Sequence, residues 1–201
     1  MKSNLSPILQ LPQDMSCGID AAYEYFSNNI ANRAKRPTLF DKEVYIECGE
    51  MIEDRPMGFW HIISLEDSHR FSKIVPCVND PAINLCNRNC ITQKRKVTIK
   101  FGTESRSICL YRAARLPWII DLMKMANRDD PAVQVWVKPS GQKANKKLYL
   151  RYNHGGNDFV VIFAVQKNFY RLISAFPVFY LKEKEQFDDD YAENSWSYFL
   201  K

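Results

Sequence analysis

The three histidines are the side chains whose chemistry is easiest to define, because imidazole exchanges protons near neutral pH. His61 lies in the apolar run Phe59-Trp60-His61-Ile62-Ile63, where a histidine is more often a hydrogen-bonded core residue than an acid–base catalyst. His69 falls on a short predicted helix, and His154 lies in a glycine-rich turn. Two roles therefore stay open for His61, a core residue and an acid–base group.

A hydroxyl inside an apolar strand is the second chemical feature. Ser174 interrupts the run Leu172-Ile173-Ser174-Ala175-Phe176-Pro177. A hydroxyl in that setting needs a hydrogen-bond partner, so Ser174 has either a structural role or a phosphate to hold. The chain contains no GxSxG elbow, no phosphate-binding glycine loop and no HExxH motif. These absences argue against a hydrolase triad, a nucleotide-binding fold and a zinc protease.

Three of the six cysteines could bind a metal ion. Cys77, Cys86 and Cys90 cluster within fourteen residues, and His69 lies just upstream. These four ligands could close a structural zinc site, although the spacing is not CxxC and free thiols are the alternative. The other cysteines are interpreted as reduced thiols. The sequence has no apolar run of membrane-spanning length and no signal peptide, so we expect a cytoplasmic protein without a membrane partner.

Charge is distributed unevenly along the chain. Residues 1–180 carry 25 basic and 17 acidic side chains, a net charge of +8, whereas residues 181–201 carry six acidic side chains and three lysines. The basic body favours an anionic partner such as RNA. For the acidic segment we expect disorder, with shielding of the basic body as the alternative.

Local sequence patterns predict three helices. The first begins at Ser16, and its apolar residues recur at the spacing of one helix face: Ile19, Tyr23, Phe26 and Ile30. Ser64-Leu65-Glu66-Asp67 has the pattern of a capping box, which predicts a second helix start. A third helix is predicted from Pro117 to Ala126, since proline suits the first helical position.

Four strand patterns follow in quick succession: Val133–Lys138, Lys146–Asn153, Asp158–Gln166 and Phe169–Phe176. The short turns between them imply an antiparallel arrangement. The predicted fold class is therefore α+β, with N-terminal helices packed on a four-stranded antiparallel β-meander in a single domain. We divide the chain into an N-terminal helical segment (1–40), an α+β domain (41–180) and an acidic C-terminal tail (181–201).

Alternation along the first two of these strands separates two sheet faces. One face is aliphatic and suits packing against helices. The other mixes basic, amide and aromatic side chains: Gln134, Trp136, Lys138, Lys147, Tyr149, Arg151 and Asn153. Such a face could pair with phosphates and stack bases, while an ordinary solvated sheet face is the alternative. Arg151 becomes a candidate phosphate ligand on this argument.

Three segments occur in a fixed order along the chain: Phe59-Trp60-His61-Ile62, then Tyr111-Arg112-Ala113-Ala114-Arg115-Leu116-Pro117-Trp118-Ile119, then Leu172-Ile173-Ser174-Ala175-Phe176-Pro177-Val178. Their order, together with the four strand patterns, resembles the phage-associated branch of the barnase–EndoU–colicin–RelE ribonucleases. The likeness spans roughly residues 57–180. It implies that 41–180 is a ribonuclease-like domain.

The resemblance implies a metal-independent, toxin-type endoribonuclease that cleaves tRNA or mRNA and needs no cofactor for catalysis. His61 matches the family's histidine, Arg112 and Arg115 its paired arginines, and Ser174 its strand hydroxyl. The implied reaction is attack of a ribose 2′-OH on the adjacent phosphate, with His61 as general base or acid. The arginines, including Arg151 from the face argument, would hold the phosphorane charge. An immunity or antitoxin protein is the implied protein partner.

Two other functions stay open on the sequence. One is a non-catalytic RNA-binding or antitoxin-like module on the same scaffold, and the other is a protein-interaction domain whose basic face docks an acidic partner. The cysteine-rich segment 76–96 and the strand pattern 97–101 stand where the family has a shorter link. The resemblance therefore does not supply the geometry between His61 and the arginines.

Overall fold

The computed structural model describes residues 5–66, 98–101, 104–141, 145–178 and 181–195. The four predicted zinc ligands, Cys77, Cys86, Cys90 and His69, lie outside the described residues. Zinc binding therefore stays a prediction.

Five α-helices lie in these ranges: α1 (Met15–Tyr25), α2 (Met57–Ile63), α3 (Leu110–Ala113), α4 (Leu116–Ala126) and α5 (Leu181–Asn194). The Asp14 carboxylate caps α1 by accepting the Cys17 backbone N–H at 2.9 Å, and α1 continues into a π-helix at Phe26–Ala31. The helices predicted to begin at Ser16 and Pro117 are confirmed as α1 and α4. None of the described helices is both long and apolar enough to cross a membrane.

Ten strands form three sheets in the described part of the chain. The largest has the order β1 (Glu43–Tyr45), β10 (Phe169–Pro177), β9 (Asn157–Val165), β8 (Lys146–His154) and β7 (Val133–Pro139). A second sheet joins β2 (Met51–Ile52) to β3 (Arg55–Pro56). The third has the order β4 (Ser64–Glu66), β6 (Glu104–Ile108) and β5 (Thr98–Phe101).

The mixed α+β class is confirmed, but the main sheet differs from the predicted one. Strands β7 to β10 begin and end within one residue of the predicted positions, and each is antiparallel to the next. Strand β1 adds a fifth strand, parallel to β10. A parallel partner more than 120 residues away leaves no local sequence signal, so the alternation pattern could not reveal it.

The helix predicted to begin at Ser64 is wrong. Ser64–Glu66 instead forms β4, which pairs antiparallel with β6. The backbone N–H and C=O groups of β4 find hydrogen-bond partners on β6, and this tertiary pairing overrides the local helix-capping pattern.

One large core lies between the helices and the aliphatic face of the main sheet. Ala22 and Phe26 of the N-terminal segment are fully buried in it together with Phe59 of α2, Leu148 of β8 and Phe163 of β9. The N-terminal segment and the later strands therefore share one core.

The opposite face of the main sheet, called the second sheet face, is covered in part by α5. Residues 181–201 were expected to be disordered, but α5 forms within them. Phe187 of α5 packs with its ring centre 5.8 Å from that of Trp136 and 6.0 Å from that of Tyr149. Lys138 donates to both carboxylate oxygens of Asp190 on α5, at 2.6 and 2.8 Å. The alternative that the acidic segment shields the basic face is the arrangement observed for residues 181–194.

Replacing Phe187 by alanine tests this packing. We expect a loss of about 3 kcal/mol of unfolding free energy, because the change removes a buried ring and leaves a cavity over Trp136. Urea unfolding followed by tryptophan fluorescence measures it. The matched control is Glu185→Ala on the exposed side of the same helix. Equal stability of the two variants would mean that α5 does not hold this face.

Candidate active site

An irregularity in β10 determines where Ser174 points. The register against β9 shifts between Leu172 and Ser174, so Ile173 is the extra residue of a β-bulge. Residues three apart normally face opposite sides of a strand, whereas the bulge puts Arg171 and Ser174 on the same side. Leu172 and Ala175 face the large core. Ser174 is therefore directed to the face that α5 covers only in part.

Arg112 of α3 reaches Ser174 from across the chain. Its Nη2 donates to Ser174 Oγ at 3.3 Å and to the Ala175 carbonyl at 2.9 Å, and its Nη1 donates to the Ser64 carbonyl. The guanidinium carbon lies 5.4 Å from the centre of the Phe176 ring. Arg112 is 5% exposed, so its charge is held beside Ser174 in a largely desolvated position.

The Ser174 hydroxyl is oriented by this contact. It accepts the hydrogen bond from Arg112 and, within the described ranges, donates none. The side chain is partly exposed. Its proton is therefore available to an acceptor that approaches over the sheet, and the guanidinium behind it strengthens the hydroxyl as a donor. This arrangement can stabilise an anionic oxygen.

A second arginine, Arg106, lies beside Arg112, and it was not among the residues predicted from the sequence. Arg106 of β6 is 6% exposed; its Nε donates to Ser64 Oγ at 2.9 Å and its Nη2 to the Ser64 carbonyl at 3.4 Å. The same carbonyl accepts from Arg112, so two guanidinium groups lie within reach of one backbone oxygen. The signal that could have found Arg106 is the alternating segment Glu104–Ile108, which follows the strand pattern ending at Phe101.

Helix α2 is fixed by close contacts at its start and along one side. A Cβ on Gly58 would lie 2.5 Å from the Glu47 carbonyl oxygen, so the approach of α2 to that segment requires glycine. Trp60 is buried and its Nε1 donates to the Ile52 carbonyl at 2.8 Å. These contacts hold α2, the helix that carries His61, against the segments that contain Glu47 and Ile52.

His61 is partly exposed, whereas its neighbours Trp60 and Ile62 are only 1% and 3% exposed. A fully buried core role is therefore excluded for its side chain. Helix α2 packs against both β10 and α3, the two elements that carry Ser174 and Arg112. The three family-matched residues His61, Arg112 and Ser174 thus belong to mutually packed elements.

Arg115 has a different environment from Arg112. Its Nη1 donates to the Tyr111 carbonyl at 2.8 Å, and its guanidinium carbon lies 3.7 Å from the centre of the Tyr111 ring and 4.9 Å from that of Trp118. The side chain is 2% exposed. These contacts stabilise the junction between α3 and α4, and they do not join Arg115 to Ser174.

Arg151 lies beneath α5 on the second sheet face and is fully buried. It donates to both oxygens of Asp158 at 2.8 Å and to Asp188 of α5 at 2.8 Å. Burial alone would lower the pKa of Arg151, but the hydrogen bonds and charges of the two carboxylates outweigh burial and raise it. The cation is thus already neutralised by the protein, and its contacts are separate from those of Arg112.

Comparisons with protein-family models, with curated proteins and with solved structures found no match to this chain. In the part of the chain that the structure describes, no three His, Cys, Asp or Glu side chains are grouped to hold a metal ion.

Proposed function

We propose that this protein is a metal-independent endoribonuclease of the toxin type, cleaving tRNA or mRNA. The observation that carries the proposal is the hydrogen bond between Arg112 and Ser174, residues 62 positions apart. The resemblance assigns both residues to one phosphate-binding site. A contact between them is what that assignment requires.

The reaction we propose is an internal transesterification. The ribose 2′-oxygen forms a bond to the adjacent phosphorus, and the bond from phosphorus to the 5′-oxygen of the next nucleotide breaks. His61 either takes the 2′-OH proton, while water protonates the departing 5′-oxygen, or protonates that oxygen, while water takes the 2′-OH proton. Ser174 donates a hydrogen bond to the phosphorane. The positive charge of Arg112, which is hydrogen-bonded to Ser174, stabilises the negative charge of the phosphorane, and Arg106 adds a second positive charge beside Ser64.

The fold supports this proposal at a coarser level. The mixed α+β class is consistent with it: helices pack on one face of a five-stranded sheet in which β7 to β10 are antiparallel and β1 is parallel to β10. We assign Arg115 and Arg151 to the stability of that scaffold, because each is buried against internal partners. A toxin-type nuclease also requires a neutralising protein, so an immunity or antitoxin protein is part of the proposal.

Cleavage of a mixed tRNA and mRNA pool in excess EDTA tests the proposal. We expect discrete fragments from the full chain and none from His61→Ala. The matched control is His154→Ala, which removes the exposed histidine at the end of β8 and should cleave normally. A folded wild-type protein that binds RNA without cleaving it would replace the nuclease by a non-catalytic RNA-binding module.

A further inference from the structure

The part of the second sheet face that α5 leaves open carries two exposed aromatic rings. Tyr45 of β1 is 44% exposed and Phe169 of β10 is 37% exposed. Their ring centres lie 5.9 Å apart with an angle of 61° between the planes. The two rings are adjacent and exposed, so both are accessible to a ligand.

Basic side chains continue from these rings across the sheet. Arg171 pairs with Tyr45 on one side and with Ala164 on the other, and Ala164 pairs with Lys147 of β8. Cross-strand partners share a face, so these four residues form one row about 14 Å long at roughly 4.8 Å per strand. Arg171 is exposed and Lys147 is partly exposed. Because the side chain of Ala164 is small, it leaves space on the sheet surface between Arg171 and Lys147.

The row leads to the candidate active site. The β-bulge puts Ser174 on the same face as Arg171, and Ser174 pairs with Ile162, the residue two positions before Ala164 on β9. On this face the Ser174–Ile162 pair is therefore the neighbour of the Arg171–Ala164 pair. We name the open strip, consisting of Tyr45, Phe169, Arg171 and Lys147, the aromatic strip.

The charges around the aromatic strip favour an anionic ligand. Arg171, Lys147 and the exposed Lys167 supply three cations. Two carboxylates lie nearby: Glu43 is bridged to Arg33, and Glu47 accepts the Gly49 backbone N–H at 3.2 Å and the Tyr45 hydroxyl at 3.5 Å. Both acids thus have partners within the protein.

We propose that the aromatic strip binds single-stranded RNA, with bases stacked on Tyr45 and Phe169 and phosphates paired with Arg171 and Lys147. This inference rests on the proposed function, whose substrate it specifies as an unpaired stretch of RNA. Aromatic faces beside a basic groove are the arrangement by which proteins hold single strands, because every base has a π-face to stack. Bases inside a duplex are already stacked and cannot use the rings.

Fluorescence anisotropy with a labelled single-stranded oligouridylate tests the inference. Every ribose of the probe is 2′-O-methylated, so that binding is measured without attack by the 2′-OH. We expect Tyr45→Ala and Phe169→Ala each to weaken binding about tenfold, whereas Tyr45→Phe keeps the ring and binds like the wild type. Met51→Ala is the control, since Met51 is exposed but lies on β2.

The possible outcomes separate this inference from the proposed function. Normal binding by both ring-deletion variants overturns the aromatic strip, even when ordinary RNA is cleaved. Binding of a duplex as tightly as of the single strand also overturns it. A wild-type protein that binds the methylated strand through the rings but never cleaves ordinary RNA supports the aromatic strip and overturns only the nuclease. An absence of any RNA binding overturns the aromatic strip and leaves a protein partner for this surface.

Discussion

Arg112→Ala is expected to lower kcat/KM for RNA cleavage by about a hundredfold or more, since one preorganised donor to a developing anion typically contributes that much. Arg112 is the only described side chain that hydrogen-bonds Ser174, so its loss also releases the hydroxyl. Ser174→Ala should reduce the rate less than Arg112→Ala, because the guanidinium charge remains. Single-turnover cleavage of a labelled RNA measures both variants.

Arg115→Met is the matched control for Arg112→Ala. It also removes a buried arginine from the same turn, but one that packs against Tyr111 and Trp118. We expect lower stability with nearly normal kcat/KM at a temperature where the variant is folded. If the two arginine variants lost activity in proportion to their lost stability, Arg112 would be a structural residue and not part of the active site.

Asp158→Ala is expected to destabilise the fold by about 3–5 kcal/mol, which is the usual result of removing one partner of a buried ion pair. Arg151 is fully buried and donates two hydrogen bonds to Asp158, which is itself 6% exposed on its side chain. Its other partner, Asp188, is 57% exposed, so solvent screens that pair. Asp188→Ala should therefore cost about 1 kcal/mol or less. Urea unfolding of the two single variants compares them directly.

A double variant distinguishes the buried charge from the shape of the site. Arg151→Met combined with Asp158→Leu removes both charges and should recover most of the stability lost in Asp158→Ala, because apolar residues of similar volume replace the ion pair. RNA cleavage by the double variant should also persist, since Arg151 is assigned to the scaffold. Loss of cleavage in a stable double variant would return Arg151 to the catalytic group.

The sequence predicted those elements whose signals are local. Strands β7 to β10 follow from alternation and turn residues, and the turn between β8 and β9 has positive φ at Gly155 and Gly156, as a two-residue hairpin requires. The parallel pairing of β1 with β10 and the strand at Ser64 depend on partners far away in the chain. No local pattern could specify them.

The residues of the candidate site also divide into those with a sequence signal and those whose contacts depend on distant parts of the chain. The resemblance implies that Arg112 and Ser174 act in one site; the two side chains are hydrogen-bonded, and their catalytic role stays a prediction. Alternation along β8 predicts the sheet face on which Arg151 lies, but it cannot reveal that α5 covers this residue through Asp188. Phe187 and Tyr191, four residues apart in an acidic segment, were the signal for a packed helix, and the charge of that segment concealed it. The bulge at Ile173 had no sequence signal at all.

The most direct test of the central claim compares one RNA with its fully 2′-O-methylated form. Both strands are incubated with the wild-type full chain in excess EDTA, and the products are identified by mass spectrometry. The account predicts fragments ending in a 2′,3′-cyclic phosphate from the RNA and no cleavage of the methylated strand. Cleavage of the methylated strand, or fragments with 3′-hydroxyl ends, would contradict attack by the ribose hydroxyl and with it the proposed nuclease.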